Sequence, residues 1–103
     1  MDRIEELFPG YGHEARELIR KAYEIASKAL EGTFRGNGAA FIDHPEKVAK
    51  IACDEIGLGP ECITAVFLHE ATRFHSEIDL KSMGLFGRDI LTMVDGLNKI
   101  ATI

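Results

Sequence analysis

Residues 59–74 read GPECITAVFLHEATRF, and this stretch decides the fold. Gly59-Pro60 is suited to a helix start, because proline lacks the N–H that the first turn leaves unpaired. The residues that follow offer little polar surface, which is typical of a central helix buried on most sides. His69 and Glu70 lie in the middle of this run. We therefore predict a central helix that carries one imidazole and one carboxylate.

Two further segments have the spacing of helices. Between positions 15 and 30 the apolar residues recur at intervals of three and four, and Gly32 is suited to end that helix in a left-handed conformation. Leu30 is therefore expected to face inward. Residues 86–100 resume the same period, and Asp95 lies beside the apolar face of that last helix.

The remaining segments are shorter. Asp43 is a natural N-cap, so a helix is predicted to begin at His44 and to end before Gly57. Residues 33–43 have turn chemistry and are predicted to form an ordered loop, whereas residues 74–84 show no clean period. Sustained strand alternation is missing from the sequence. The predicted fold class is all-α, a compact bundle of about four to five helices like that of HD domains.

Composition limits the function classes. The 103 residues fit a single small domain, 1–103, and the net charge of −5 with scattered Lys and Arg argues against a nucleic-acid partner. A bilayer span is excluded because no apolar run is long enough. Cys53 and Cys62 form no CxxC pair and no signal peptide precedes them, so we expect reduced thiols in a cytoplasmic protein, with a disulfide as the alternative.

Four side chains on three predicted helices suggest a site: His44, His69, Glu70 and Asp95. A buried carboxylate costs several kcal/mol unless it is paired or bound to a cation, so an adjacent His-Glu pair in an apolar helix is hard to explain by solvation. A single buried His or Glu is usually a hydrogen-bonded core residue. The set of four favours a metal site, or a site derived from one, over coincidence.

Three blocks of this sequence resemble the hydrolase domain of the RelA/SpoT family, a branch of the HD superfamily. The family pattern A-H-x-G-Q-x-R-x-S-G-x-P-Y-I-x-H-P aligns without a gap with ALEGTFRGNGAAFIDHP at residues 29–45. The pattern L-L-H-D-x-x-E-D-T aligns with FLHEATRFH at residues 67–75, and F-G-x-x-V-x-x-L-V-D-G-V-x-K-L with FGRDILTMVDGLNKI at residues 86–100.

The resemblance implies a chemistry and a ligand set. In that family a manganese ion held by His and Asp side chains activates the water that removes the 3′-pyrophosphate of the alarmone (p)ppGpp. Carried over residue by residue, the implied ligands are His44, His69, Glu70 in place of Asp, and Asp95. Leu30 occupies the position of the first ligand, and its side chain cannot coordinate a metal.

Two other parts of the pattern, a catalytic pair and a nucleotide-contacting loop, also differ in this sequence. The family's Glu-Asp pair, which positions the attacking water, is Arg73-Phe74 here, so the resemblance leaves no intact catalytic pair. A guanidinium does not act as a base near neutral pH. In the nucleotide-contacting loop the family's Arg is retained as Arg35, whereas the following Lys is Gly36 and the Ser is Asn37. Part of a purine and ribose cradle is therefore expected at Arg35 and Asn37.

Each candidate residue also has a structural interpretation. His44 is either a metal ligand or a helix-terminal residue that hydrogen-bonds the backbone. His69 either coordinates a metal or hydrogen-bonds Asp95 or Glu70. Glu70 either reaches a metal or pairs with Arg73, three residues on. Asp95 either ligates a metal or caps polar neighbours.

Together these features predict that residues 1–103 form a degenerate and partial RelA/SpoT-type hydrolase domain linked to the stringent response. It is expected to have lost efficient (p)ppGpp hydrolysis and to retain a binding, regulatory or assembly role, with manganese bound weakly or not at all. One alternative is a weakly active metal-dependent nucleotide pyrophosphohydrolase. Another is a structural module that pairs with a second copy to complete a small core. The expected partners are a guanine nucleotide of the ppGpp type and a second copy of the chain, with no nucleic acid and no membrane.

Overall fold

The computed structural model describes residues 2–33 and 41–101, and this part of the chain is helical with no strand. The all-α prediction is therefore confirmed. Two of the six described α-helices are short, which explains the lower predicted number. In chain order the elements are α1 (Arg3–Leu7), α2 (His13–Ala29), α3 (Asp43–Ile51), a π-helical turn (Ala52–Ile56), α4 (Pro60–Phe74), α5 (Leu80–Met83) and α6 (Arg88–Ala101).

Helix α4 is the centre of the bundle, as predicted. It packs most extensively against α2 and next against α6, and α3 covers a further part of its surface. Ile63, Phe67 and Leu68 on α4 are completely buried. The ring of Phe67 meets that of Tyr23 on α2 edge to face, with 5.4 Å between ring centroids. An apolar helix placed between two others buries most of its circumference, which is why its sequence shows so little polar surface.

Helix α2 ends where the sequence indicates. The N–H of Leu30 donates to the carbonyl of Ala26, and Gly32 follows with φ +76° in the left-handed region. Leu30 is only 3% exposed, which confirms that it faces inward. The first position of the implied ligand set is thus part of the hydrophobic interior.

Helix α3 begins one residue earlier than predicted. Asp43 is its first residue, and the preceding Ile42 is already right-handed helical, with no side-chain cap. The prediction of Asp43 as N-cap is therefore wrong, because a turn at residues 41–42 leads directly into the helix and the N–H of His44 donates to the carbonyl of Phe41 at 3.0 Å. The far end is as predicted, since the π-helical turn stops at Gly57, whose φ is +80°.

Helix α5 has only four residues and was not predicted. A single turn is too short to show a hydrophobic period, so its signal is the capping residue. The carboxylate of Asp79 accepts a hydrogen bond from the N–H of Ser82 at 3.2 Å. Gly84 ends the turn with φ +67°, and Leu80 is anchored in the core at 7% exposure.

The N-terminal helix is held by charged contacts. Arg3 donates through Nε to Glu46 Oε1 at 3.0 Å, and the hydroxyl of Tyr23 donates to Glu46 Oε2 at 2.7 Å. Arg20 on α2 donates to Asp2 at 2.7 Å. Helices α1, α2 and α3 therefore meet around one buried carboxylate, which fixes the start of α3.

Two further observations concern the cysteines and the helix lengths. Cys53 and Cys62 are free thiols of intermediate exposure. Among the described helices, none has both the length and the apolar character that a membrane crossing requires.

Candidate functional site

Helix α4 presents His69 and Glu70 side by side. Their side chains are 14% and 7% exposed, and His69 Nε2 lies 3.5 Å from Glu70 Oε1. Arg73 approaches the same oxygen at 3.8 Å, so the predicted pairing with Glu70 is present at long range. The second oxygen, Glu70 Oε2, is buried and has no hydrogen-bond partner among the described residues. A buried polar atom of this kind calls for an explanation, because nearly all such atoms in folded proteins are paired.

The other ring nitrogen of His69 belongs to a hydrogen-bond chain. Nδ1 lies 2.8 Å from Asn98 Oδ1 on α6, and Asn98 Nδ2 donates to Thr72 Oγ1 at 3.0 Å. The hydroxyl of Thr72 lies 3.1 Å from the carbonyl oxygen of Leu68, to which it donates. Asn98 and Thr72 were missed from the sequence. Thr72 is three positions after His69, and so on the same face of the helix, but nothing local indicates that Asn98 reaches this face.

Asp95 lies near these hydrogen-bonded residues but is exposed to solvent. It lines a cavity of about 350 Å³ together with Thr72, Asn98 and Asp79. Hydrogen bonds from the side chain and N–H of Ser82 lower the pKa of Asp79, so that carboxylate is charged near neutral pH. The cavity therefore has two acidic groups at its edge and the amide of Asn98 at its side.

His44 approaches the site from α3 through aromatic contacts. Its ring lies 6.0 Å from that of Phe41, which in turn meets the ring of Phe74 at 4.7 Å, edge to face. The guanidinium of Arg73 lies 5.5 Å from the centre of the Phe74 ring. The two residues at the positions of the family's Glu-Asp pair thus form a cation–π contact at the end of α4.

The described residues contain no group of three or more His, Cys, Asp or Glu side chains close enough to hold a metal ion. The structure brings His69 and Glu70 together but adds neither His44 nor Asp95 to them as a third ligand. An imidazole nitrogen beside a carboxylate has the donor chemistry that manganese accepts, but two donors are fewer than metal sites usually have. The four-ligand site stays a prediction. The predicted cradle at Arg35 and Asn37 lies outside the described residues.

Fold and site define a small all-α domain with a largely buried His-Glu pair on its central helix. Over 87 residues it is 33% identical to a guanosine-3′,5′-bis(diphosphate) 3′-pyrophosphohydrolase of Vibrio cholerae, an alignment of 82% of this chain and 12% of that protein. It is also 33% identical over 82 residues to the bifunctional (p)ppGpp synthase/hydrolase SpoT of Escherichia coli, covering 80% of the chain and 12% of the relative.

A protein of Aquifex aeolicus with the same name as the Vibrio relative is 33% identical over 101 residues, which is 97% of this chain and 14% of that protein. The chain is therefore homologous to the (p)ppGpp 3′-pyrophosphohydrolase/SpoT region and belongs with RelA/SpoT-type hydrolase domains. It spans between 12% and 14% of the length of these three relatives. No protein-family model matches the chain. No solved structure matches it either.

Proposed function

We propose that this chain is a degenerate RelA/SpoT-type domain of the HD kind, which binds a guanosine polyphosphate and hydrolyses it inefficiently or not at all. The observation that carries the proposal is the contact between Arg73 and Phe74. At these positions the family pattern has two carboxylates that handle the attacking water. A guanidinium packed against a phenyl ring cannot accept a proton from that water.

Leu30 supports the same proposal. Its side chain is 3% exposed and stands where the family pattern has the first metal-ligating histidine. A hydrocarbon at that position contributes packing to the core but no lone pair to a metal. The loss of a ligand and the loss of the acid pair weaken the same reaction, so the two departures are consistent with each other.

The departures at Leu30, Arg73 and Phe74 remove groups that hydrolysis requires, but they do not remove the groups proposed to bind the nucleotide. Arg73 keeps about half of its side chain exposed, at 48%, and an exposed guanidinium can grip a phosphate through two parallel hydrogen bonds. By resemblance, Arg35 and Asn37 would contact the purine and ribose. A domain of this kind would act in the stringent response by sensing or sequestering (p)ppGpp.

The second candidate is slow, manganese-dependent hydrolysis of the same nucleotide. The observation that favours it is the buried Glu70 Oε2 without a described partner, beside the Nε2 atom of His69. His69 and Glu70 would hold the ion, with His44 and Asp95 as the further ligands that the resemblance implies. The bound metal would supply an activated water.

One experiment separates the candidates. The purified chain is titrated with ppGpp by calorimetry, and nucleotide products are then followed by anion-exchange chromatography with and without Mn²⁺. We expect binding that Arg73→Ala weakens, with no release of pyrophosphate above a protein-free control. Mn²⁺-dependent turnover that His69→Ala abolishes would instead establish the second candidate. Failure to bind ppGpp at millimolar concentration would contradict both.

The missing chemistry also suggests a gain-of-function test. The triple variant Leu30→His, Arg73→Glu, Phe74→Asp restores the family's side chains at the first ligand position and at the catalytic pair. We expect it to acquire Mn²⁺-dependent release of pyrophosphate, and to need more ppGpp than the wild type needs for binding, because Arg73→Glu removes the exposed guanidinium. Leu18→His in place of Leu30→His is the control, because it adds an imidazole to α2, the helix that Leu30 caps, away from the ligand position.

A further inference from the structure

We infer that Asn98 and Thr72 hold His69 in the tautomer that carries its proton on Nδ1, so that Nε2 is the electron-pair donor that the site offers to a ligand. The tautomer follows from the hydrogen bonds alone. Its use as a donor rests on the second candidate of the proposed function, which is metal-dependent. Asn98 is in this sense a positioning residue, because it acts through His69.

Thr72 orients the other two side chains. Its hydroxyl has a single proton, and Oγ1 lies 3.1 Å from the carbonyl oxygen of Leu68 and 3.2 Å from that of His69. Two acceptors on the backbone are within reach of this proton, as is common for Thr inside a helix, and we assign the proton to them. In its contact with Asn98, Thr72 Oγ1 therefore acts as the hydrogen-bond acceptor.

The amide of Asn98 is oriented by that acceptor. Its NH₂ group must face Thr72 Oγ1, at 3.0 Å, and its carbonyl oxygen therefore faces His69 Nδ1, at 2.8 Å. Because the amide oxygen can only accept, the proton of this bond belongs to Nδ1 of the imidazole. A hydrogen bond to one ring nitrogen sets the protonation of the other, as it does for many histidines that bind metals.

The consequence appears on the opposite edge of the ring. A neutral imidazole has one N–H, so Nε2 carries a lone pair, and it lies 3.5 Å from the carboxylate oxygen Glu70 Oε1. Two acceptors placed side by side cannot satisfy each other. The neighbouring Oε2 is buried with no described partner, so this edge of the pair is arranged to receive an electron-poor group, either a divalent cation or an N–H or O–H donor.

Long-range ¹H–¹⁵N correlation spectra of the ¹⁵N-labelled chain, in mildly alkaline buffer, test the tautomer directly. In the wild type we expect His69 to show a protonated Nδ1 and a bare Nε2. Asn98→Ala removes the acceptor, and Thr72→Val removes the group that orients it, so both should shift His69 toward the Nε2–H form. Thr92→Val is the matched control, because Thr92 also donates to the carbonyl four residues earlier, that of Arg88, but lies outside this chain of hydrogen bonds.

The outcomes separate this inference from the proposed function. An Nε2–H form in the wild type, or an unchanged spectrum in a folded Asn98→Ala or Thr72→Val protein, overturns the inference. Mn²⁺ titration gives the second readout: if the wild type binds the ion, Asn98→Ala should weaken binding roughly 10- to 100-fold, and an unchanged affinity overturns the positioning role. An Nδ1–H form in a wild type that binds no Mn²⁺ supports the inference and contradicts the metal-dependent candidate alone.

Discussion

Two buried glutamates show how single residues divide between stability and function. Glu46 is 5% exposed and accepts hydrogen bonds from Arg3 and Tyr23. Glu70 is equally buried, yet one of its oxygens has no partner among the described residues, and the other has only His69 Nε2 at 3.5 Å and Arg73 at 3.8 Å. A satisfied carboxylate fixes the packing of the elements around it. An unsatisfied one costs stability unless a ligand pairs with it.

The two glutamates should therefore respond oppositely to neutralisation. We predict that Glu46→Gln lowers the free energy of unfolding by about 2 kcal/mol, because it weakens charge-assisted bonds to Arg3 and Tyr23. Glu70→Gln should change stability by less than about 0.5 kcal/mol or increase it, since it removes an underpaired buried charge. Urea unfolding followed by circular dichroism measures both. Equal losses in the two variants would mean that Glu70 is a structural residue like Glu46.

Asp2 gives a pH dependence with a defined sign. The hydrogen bond from Arg20, followed by that from the N–H of Glu5, lowers the pKa of Asp2 from its usual 3.8 to about 2. A carboxyl with a lowered pKa in the folded state contributes stability that is complete above 3.8 and is lost as the pH falls toward 2.

We therefore predict that Asp2→Asn flattens the fall in stability over that acidic range, while leaving its shape near neutral pH unchanged. Urea midpoints of the wild type and the variant, measured at a series of pH values, give the comparison. Parallel curves for the two proteins would show that Asp2 does not titrate differently in the folded chain.

At the scale of the elements, glycines decide where helices stop. Gly57 ends the π-helical turn after α3 with φ +80°, a region that L-residues with a Cβ rarely adopt. Gly96, by contrast, lies inside α6, and a Cβ built there meets nothing within 4 Å. The same residue type therefore serves a conformational need at one position and none at the other.

The two glycines predict opposite effects of one substitution. Gly57→Ala should destabilise the fold by about 1–2 kcal/mol because it forces a Cβ into the left-handed region. Gly96→Ala should stabilise it by about 0.5–1 kcal/mol because alanine loses less backbone entropy in a helix. Thermal unfolding of both variants tests this. If Gly96→Ala destabilises the protein, another group must pack so closely against α6 at this position that a Cβ does not fit.

At the scale of the whole molecule, an apolar groove lies between α4 and α6. It has a volume of about 350 Å³. Its lining residues are Leu58, Cys62, Ala65, Val66, Met93, Gly96, Leu97 and Ile100. Ile100 is 68% exposed, and so large an apolar side chain in water favours association when it adjoins an apolar groove. The homo-oligomer expected from the sequence stays a prediction, and this groove is the surface on which it can be tested.

We predict that the chain self-associates at high concentration and that Ile100→Glu reduces the association. A charge at this position would have to be desolvated in an interface between two copies. Ile51→Glu is the matched control, because Ile51 is 50% exposed on α3 and does not line the groove. Light scattering over a concentration series measures the mass. A wild type that stays monomeric throughout would remove the basis for the homo-oligomer.

The sequence by itself determined the all-α fold, the central position of α4, the glycines that end α2 and the π-helical turn, and the presence of a His-Glu pair on the buried helix. These features are local, because periodicity and backbone preference act within a few residues of the chain. The RelA/SpoT resemblance belongs with them, since it depends on gapless blocks of sequence.

Tertiary structure alone decided how the site is assembled. Asn98 reaches His69 across 29 positions of sequence, and that contact depends on how α6 packs against α4. The same packing leaves Asp95 exposed, and the burial of α4 leaves Glu70 Oε2 without a described partner. A sequence pattern states which donors a chain carries, whereas their distances depend on the angle and separation of packed helices, to which residues far apart in the chain contribute.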